Sequence, residues 1–309
     1  MKPLLLRLHR WTTIVFAVPL AIVIVTGLIL SFEPILQDTA ARGLTLPASR
    51  IVALIAEHDP EGKARGLAIR AYEDRLVIQG VGEGGSKDIA LSTGREVDDG
   101  DRFMLSDLFG ESRYIHEHLL FDQRWLVTAT TIAMVVLIVL GLLMGWPRIR
   151  NTISGWHQAT AWFLLPLVIL SPVTGLMIAF GVTLAGPQPI QDRAALPSIR
   201  EAVEMLGRDR DLAGLIWLRN RGGRLLARVN EGGRFSVYQV SRSAVRASPA
   251  NWPRGLHEGN SFGLMTGIMV VVTSLALIGL MVTGLTLWVR RTFLRKRHRN
   301  RLPPAGAPA

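Results

Sequence analysis

Seven histidines and no cysteine bound the chemistry available to these 309 residues. Thiolate-held clusters, covalent c-type haem and disulfides are excluded. Four of the histidines stand at the mouths of long apolar runs. His9 opens "HRWTTIVFAVPLAIVIVTGL", with Thr26-Gly27-Leu28 seventeen residues on, and His157 opens "HQATAWFLLPLVILSPVTGL", with Thr174-Gly175-Leu176 at the same distance. His116 lies in "YIHEHLLF" and His257 in "GLHEGNSFG", each ahead of another apolar run; His118 is the alternative to His116. Imidazoles on facing helices can supply both axial ligands of a haem iron, and a helix bundle supplies the apolar slot a porphyrin needs. His9 with His157, and His116 with His257, therefore predict two metal-holding slots stacked across a membrane, a wire for electrons. His58, beside Asp59, and His298, in a basic tail, read as solvated.

The elements that must position these residues are membrane helices. Hydrophobic residues make up 49% of the chain. Four runs, at 11–32, 125–146, 159–182 and 262–289, reach the roughly 20 apolar residues that a helix needs to cross about 30 Å of hydrocarbon. The first is too long, and too poor in small residues near a cleavage point, for a removable signal peptide, so an anchor is expected. Lys2, Arg7 and Arg10 precede the first run, Arg148 and Arg150 link the second to the third, and "RRTFLRKRHRNR" follows the fourth. By the positive-inside rule all three basic clusters are cytoplasmic, which places both termini inside. The net charge of +11 is thus topogenic and attractive to anionic membrane lipid. No aromatic-interleaved basic motif accompanies it, so nucleic acid is not an expected partner.

Two outward segments remain, 33–112 and 183–254. Each opens on Leu-Pro (Leu46-Pro47 and Leu196-Pro197), continues as a short amphipathic helix ("SRIVALIAEH", "SIREAVEMLG") and then gives three strand-like runs with turn glycines. The His to Thr-Gly-Leu phrases are offset by 148 residues and the Leu-Pro pairs by 150, which describes a duplication of helix, outer domain, helix. The predicted fold is a membrane all-α four-helix bundle of two tandem two-helix repeats, N-in/C-in, carrying two small α+β outer domains. Its parts are helix 1 (1–32), outer domain 1 (33–112), helix 2 (113–147), a cytoplasmic link (148–158), helix 3 (159–182), outer domain 2 (183–254), helix 4 (255–290) and a basic tail (291–309).

Helical phase extends the expectation to glycines. Gly27 lies five whole turns from His9, on the same face and about 27 Å deeper, and Gly175 stands likewise to His157. Both would flank the outer slot, where a missing side chain lets a flat macrocycle approach the backbone. Gly141 and Gly145 fall within about 20° of the face of His116 and well off that of His118, which favours His116 as the ligand. Gly279 falls about 40° from the His257 face and Gly284 on the opposite one, an asymmetry without an explanation in the sequence.

"LHRWTTIVFAVPLAIVIVTGLIL", "YIHEHLLFDQRWLV" with its closing "GLLMGWPR", "WHQATAWFLLPLVILSPVTGLM" and "LHEGNSFGLMTGIMVVVTSLALIGLMVTGLTLWVRR" resemble the helices of the PepSY-associated transmembrane family over nearly the whole chain. That family includes bacterial iron-regulated inner-membrane proteins and siderophore-iron reductases. The resemblance implies PepSY-like periplasmic outer domains, two membrane-embedded non-covalent b-type haems on His9, His116, His157 and His257, and reduction of ferric chelates in the periplasm. No flavin or nicotinamide domain is visible, so a separate cytosolic reductase or the quinol pool is the expected donor.

Three function classes stay open. One is a ferric-chelate reductase-type electron conduit. Another is a haem-free regulatory or interaction protein whose PepSY-like domains bind a peptidase or peptide. The third is a chelate transporter component, which parallel repeats also suit. Against transport, the spans carry no buried carboxylate and no helix-breaking residue beyond Pro19, Pro166 and Pro172. No hydrolytic constellation is visible.

Overall fold

The computed structural model describes residues 2–82, 85–97, 103–147, 149–186 and 196–294. Arg148, His298 and the tail from residue 295, which carry part of the orientation argument, lie outside the described residues. The chain divides into two compact units. One, mostly helical, takes in the residues up to Ile29, Ser112–Phe180 and the residues from Met269 on; the other, which holds the sheet, takes in Leu30–Glu111 and Gly181–Ile268.

Apolar composition makes the helices. Helix α1 (Lys2–Arg42) carries no charge between Arg10 and Glu33, and it runs ten residues past the predicted end of helix 1. In chain order come α2 (Ala48–His58), then, after three strands, α3 (Leu105–His118), α4 (Arg124–Leu143), α5 (Ile153–Phe163) and α6 (Leu165–Ala179). These are followed by α7 (Ile199–Leu206), four more strands, α8 (Trp252–His257) and α9 (Leu264–Val289). Among the described residues three helices, α1, α4 and α9 with its extension, are long and apolar enough to cross a membrane, and α5 with α6 makes a fourth if that bent pair is one span. Leu20 and Ile24 of α1, Met134 of α4, Val168 of α6, and Ala276 and Leu277 of α9 share one buried cluster. Trp125 and Trp146, both exposed, bracket the 20 residues of α4, as tryptophans do at the two faces of a bilayer. Threonine hydroxyls at 13, 26, 131, 174, 273 and 283 each bond a carbonyl one turn back, which satisfies a polar group without water.

Helix 2, expected to run unbroken over 113–147, is two helices. Leu119, Phe121 and Asp122 adopt positive φ between α3 and α4. Such values cost a leucine or phenylalanine of order 1–3 kcal/mol each; Leu119 is buried there and Phe121 is exposed. Helix 3 bends by 67° between α5 and α6, where Pro166 lacks the N–H that would continue the ladder. Helix 4 likewise separates into α8 and α9, with Gly259 and Gly263 at positive φ between them.

In the second unit the two predicted outer domains form one sheet. Strands β1 (Gly66–Arg70), β2 (Arg75–Gln79) and β3 (Ser86–Ala90) come from the first segment, and β4 (Leu215–Arg221), β5 (Arg224–Glu231), β6 (Arg234–Val240) and β7 (Val245–Ala247) from the second. The order is β3-β2-β1-β4-β5-β6-β7, joined where Leu67 pairs with Leu218 and Ala68 with Trp217. Pairing β1 with β4 gives each half a neighbour for an edge that would otherwise expose a row of unpaired backbone groups. Period-two alternation turns Leu67, Ile69, Leu76, Ile78, Leu218 and Ala227 into a single core, completed by Ile51, Leu54 and Ile55 of α2 and by Val203 and Leu206 of α7. The two helices pack so closely that a Cβ on Gly207 would strike the Cβ of Ala48.

Candidate functional site

The imidazoles of His9 and His157 meet inside the helical unit, with ring centres 6.5 Å apart and planes at 85°. His157 owes its place to the start of α5. Thr152 accepts a hydrogen bond from the Gly155 N–H at 3.1 Å, and a side chain at 155 would run into the Arg150 carbonyl. The Nδ1 atom of His157 lies 2.8 Å from the Thr283 hydroxyl of α9, and a Cβ on Gly284 would lie 3.5 Å from its Cε1. The Nδ1 atom of His9 is buried and makes no hydrogen bond of good geometry among the described residues.

His116, at the end of α3, has the same kind of neighbourhood. Its Nδ1 lies 3.1 Å from the Thr26 hydroxyl of α1, and a Cβ on Gly27 would lie 3.2 Å from its Cε1. His118 faces elsewhere. It stacks on Tyr114 at 4.7 Å, sets its Nδ1 3.0 Å from that residue's carbonyl and its Nε2 3.9 Å from Asp122. The two differ because two residues along a helix amount to about 200° of rotation.

His257, in the sheet-bearing unit, ends α8 just before Glu258. That carboxylate accepts from Arg228 at 2.6 Å, Arg254 at 3.0 Å and Asn260 at 2.9 Å, which anchors the turn that carries the histidine.

The glycines divide. Gly27 touches an imidazole, though that of His116 itself. A Cβ on Gly141 would meet nothing within 4 Å. Gly145 adopts φ +97° in the turn after α4, so it serves the chain reversal and does not lie on a helix face. The break at 119–123 removes the continuous helix on which the phase argument from Gly141 and Gly145 to His116 depended. The bend after Phe163 does the same for Gly175, which follows the buried Thr174 in α6. Gly284, off-phase from His257, belongs beside His157. His58, expected to be solvated, sets its Nε2 2.9 Å from the Gly94 carbonyl. Thr26, Thr283 and Gly284 were not foreseen as site residues. Their signal was a third copy of one phrase, Val-Thr-Gly-Leu, at 25–28, 173–176 and 282–285.

Among the described residues no three or more His, Asp or Glu side chains gather as a ligand set for a bare metal ion. A pair of imidazoles is instead what an iron already held by four porphyrin nitrogens lacks. With helices, paired histidines and a sheet-bearing unit in place, the family model described as PepSY-associated TM region matches residues 6–291. The chain belongs to this family. It is accordingly a membrane protein of the PepSY-associated group, with several apolar helices and a separate antiparallel sheet domain. A comparison with curated proteins returned no match.

Proposed function

We propose that this PepSY-associated protein is a di-haem b electron conduit of the bacterial inner membrane. It would take electrons from a cytosolic reductase or the quinol pool and deliver them to a periplasmic ferric siderophore or other ferric chelate. In this reading the chain is a four-helix bundle of two tandem repeats with both termini cytoplasmic. His9 and His157 hold the inner haem, and His116 and His257 the outer one.

The observation that carries the reading is the 6.5 Å between the His9 and His157 ring centres. An imidazole nitrogen binds a first-row metal at about 2 Å and lies roughly 1 Å from its own ring centre, so two axial imidazoles on one metal hold their centres about 6 Å apart. At 6.5 Å the rings are too distant to hydrogen-bond to each other. When bound, the haem supplies one-electron exchange at a potential set by its axial ligands and surroundings. The chain orients the imidazoles, and the cluster of Leu20, Ile24, Met134 and Val168 keeps water out of the bundle.

The test is a dithionite-reduced minus oxidised spectrum of the purified full-length protein, with haem content per chain. Two b-type haems are expected. His9→Ala or His157→Ala should leave about one, the same one in both; His116→Ala or His257→Ala should leave the other; and His118→Ala should keep both. A colourless protein would overturn the reading in favour of an interaction protein that binds a peptidase or peptide.

A further inference from the structure

A hydroxyl has one proton to donate and two lone pairs to offer. The Thr26 hydroxyl lies 2.7 Å from the Ile22 carbonyl of its own helix as well as 3.1 Å from His116 Nδ1. The Thr283 hydroxyl lies 2.6 Å from the Gly279 carbonyl and 2.8 Å from His157 Nδ1. A carbonyl can only accept. Once the threonine proton is committed to it, the oxygen presents lone pairs alone to the ring, and the proton between threonine and histidine must come from Nδ1. The lone pair of each imidazole then lies on Nε2.

The glycine that follows each threonine completes the arrangement. At Gly27 and Gly284 a Cβ would come within 3.2 Å and 3.5 Å of the respective Cε1, so the ring lies close against helix backbone at the height of the hydroxyl. The two settings join different helices, yet they use the same dipeptide against the same ring edge.

We propose that Thr26-Gly27 and Thr283-Gly284 are imidazole cradles: positioning residues that hold His116 and His157 as Nδ1–H tautomers with Nε2 offered to a metal. On α4 neither half of a cradle is present, since a Cβ on Gly141 would meet nothing within 4 Å. Val139-Leu140-Gly141-Leu142 repeats the phrase with leucine at the threonine position. The Leu137 carbonyl acts on the His9 ring as the Leu280 carbonyl acts on His157, each three residues before that position. Leu140 can offer no oxygen, and His9 Nδ1 is left without a bond of good geometry. The inner pair is therefore asymmetric: His157 is held by a hydroxyl and lies against a glycine, and His9 is not held in this way. The purpose given to the cradles rests on the haem reading, whereas the tautomers can be observed without haem.

The experiment is a long-range proton–nitrogen correlation spectrum of full-length, ¹⁵N-histidine-labelled protein in detergent micelles, assigned with single His→Gln variants. His116 and His157 should carry their protons on Nδ1. Thr283→Val should release His157 into a mixture of tautomers, Thr283→Ser should restore it, and Leu140→Thr should move His9 to the Nδ1–H form. In haem-loaded protein Thr283→Val should weaken retention of the inner haem by about 10-fold or more, as loss of the group that orients a ligand does, with Thr283→Ser close to the parent. An Nε2–H form of His116 or His157 in the parent protein, or tautomers indifferent to Thr283→Val, would overturn the proposal. Should Thr283→Val fail to fold, the parent spectrum and the gain in Leu140→Thr still decide. Expected tautomers in a protein that binds no haem would leave the cradles standing and remove the haem reading.

Discussion

In the helical unit Val15 and Val18 of α1 are 65% and 70% exposed, whereas in the sheet-bearing unit Leu76, Leu215 and Leu218 are fully buried. One hydrophobic effect accounts for both. The sheet closes its apolar face under α2 and α7 because water is the alternative, with burial of a leucine-sized side chain contributing about 1.5–3 kcal/mol. The helices leave theirs outside because lipid tails are as apolar as a protein core, so association between them depends on small residues, close packing and polar contacts. This explains why the helical unit has a small apolar cluster and two interhelical imidazole–threonine contacts, while the sheet core is large and wholly aliphatic apart from Tyr238.

The contrast can be broken most directly at Leu218. Leu218→Ala, which opens a cavity in the sheet core, should lower unfolding stability by about 2–5 kcal/mol, read as the denaturant midpoint of the near-ultraviolet signal. A loss no larger than that of a surface substitution would mean this core is not the closed one described. Val18→Asp should cost roughly 3 kcal/mol in membrane insertion, measured with a glycosylation-reporter insertion assay, because an exposed site facing lipid cannot accept a charge. Free tolerance of aspartate there would place α1 in water.

Smaller effects sharpen the comparison within the helices. Gly27→Ala should force the His116 ring aside at a cost of about 1–3 kcal/mol. The displacement should appear in the His116 resonance, with His157 unmoved and with Gly141→Ala silent, since a Cβ at 141 meets nothing within 4 Å. Val18→Leu should change stability by less than about 0.5 kcal/mol in detergent, the smallest effect of the series.

The chemistry-bearing residues were legible where composition spoke alone. Absent cysteine, histidines at helix mouths and the spacing from His9 to Thr26 matched by that from His157 to Thr174 are properties of the chain itself. So were the runs that become β1 to β6, because alternation with a period of two has few other uses. The glycine assignments were less readable. They assumed that a run of apolar residues is one straight helix, and helical phase carries no meaning across Leu119–Gln123, where leucine and phenylalanine adopt positive φ that no local propensity favours. Gly145 carries the turn signal of a glycine just past a helix end, and helical phase has no meaning beyond that end.

By itself the sequence determined which segments prefer lipid, which alternate as strands, and which side chains carry lone pairs a metal could use, since transfer energy and periodicity are properties of consecutive residues. Only the tertiary structure decided that β1 and β4 join the two outer segments into one sheet, that His9 lies opposite His157, and that Thr26 and Thr283 reach the imidazoles of other helices. These are contacts between residues 90 to 153 positions apart. Their geometry follows from where helices break and how faces rotate, and those are settled by packing energies summed over the whole chain rather than by any local preference.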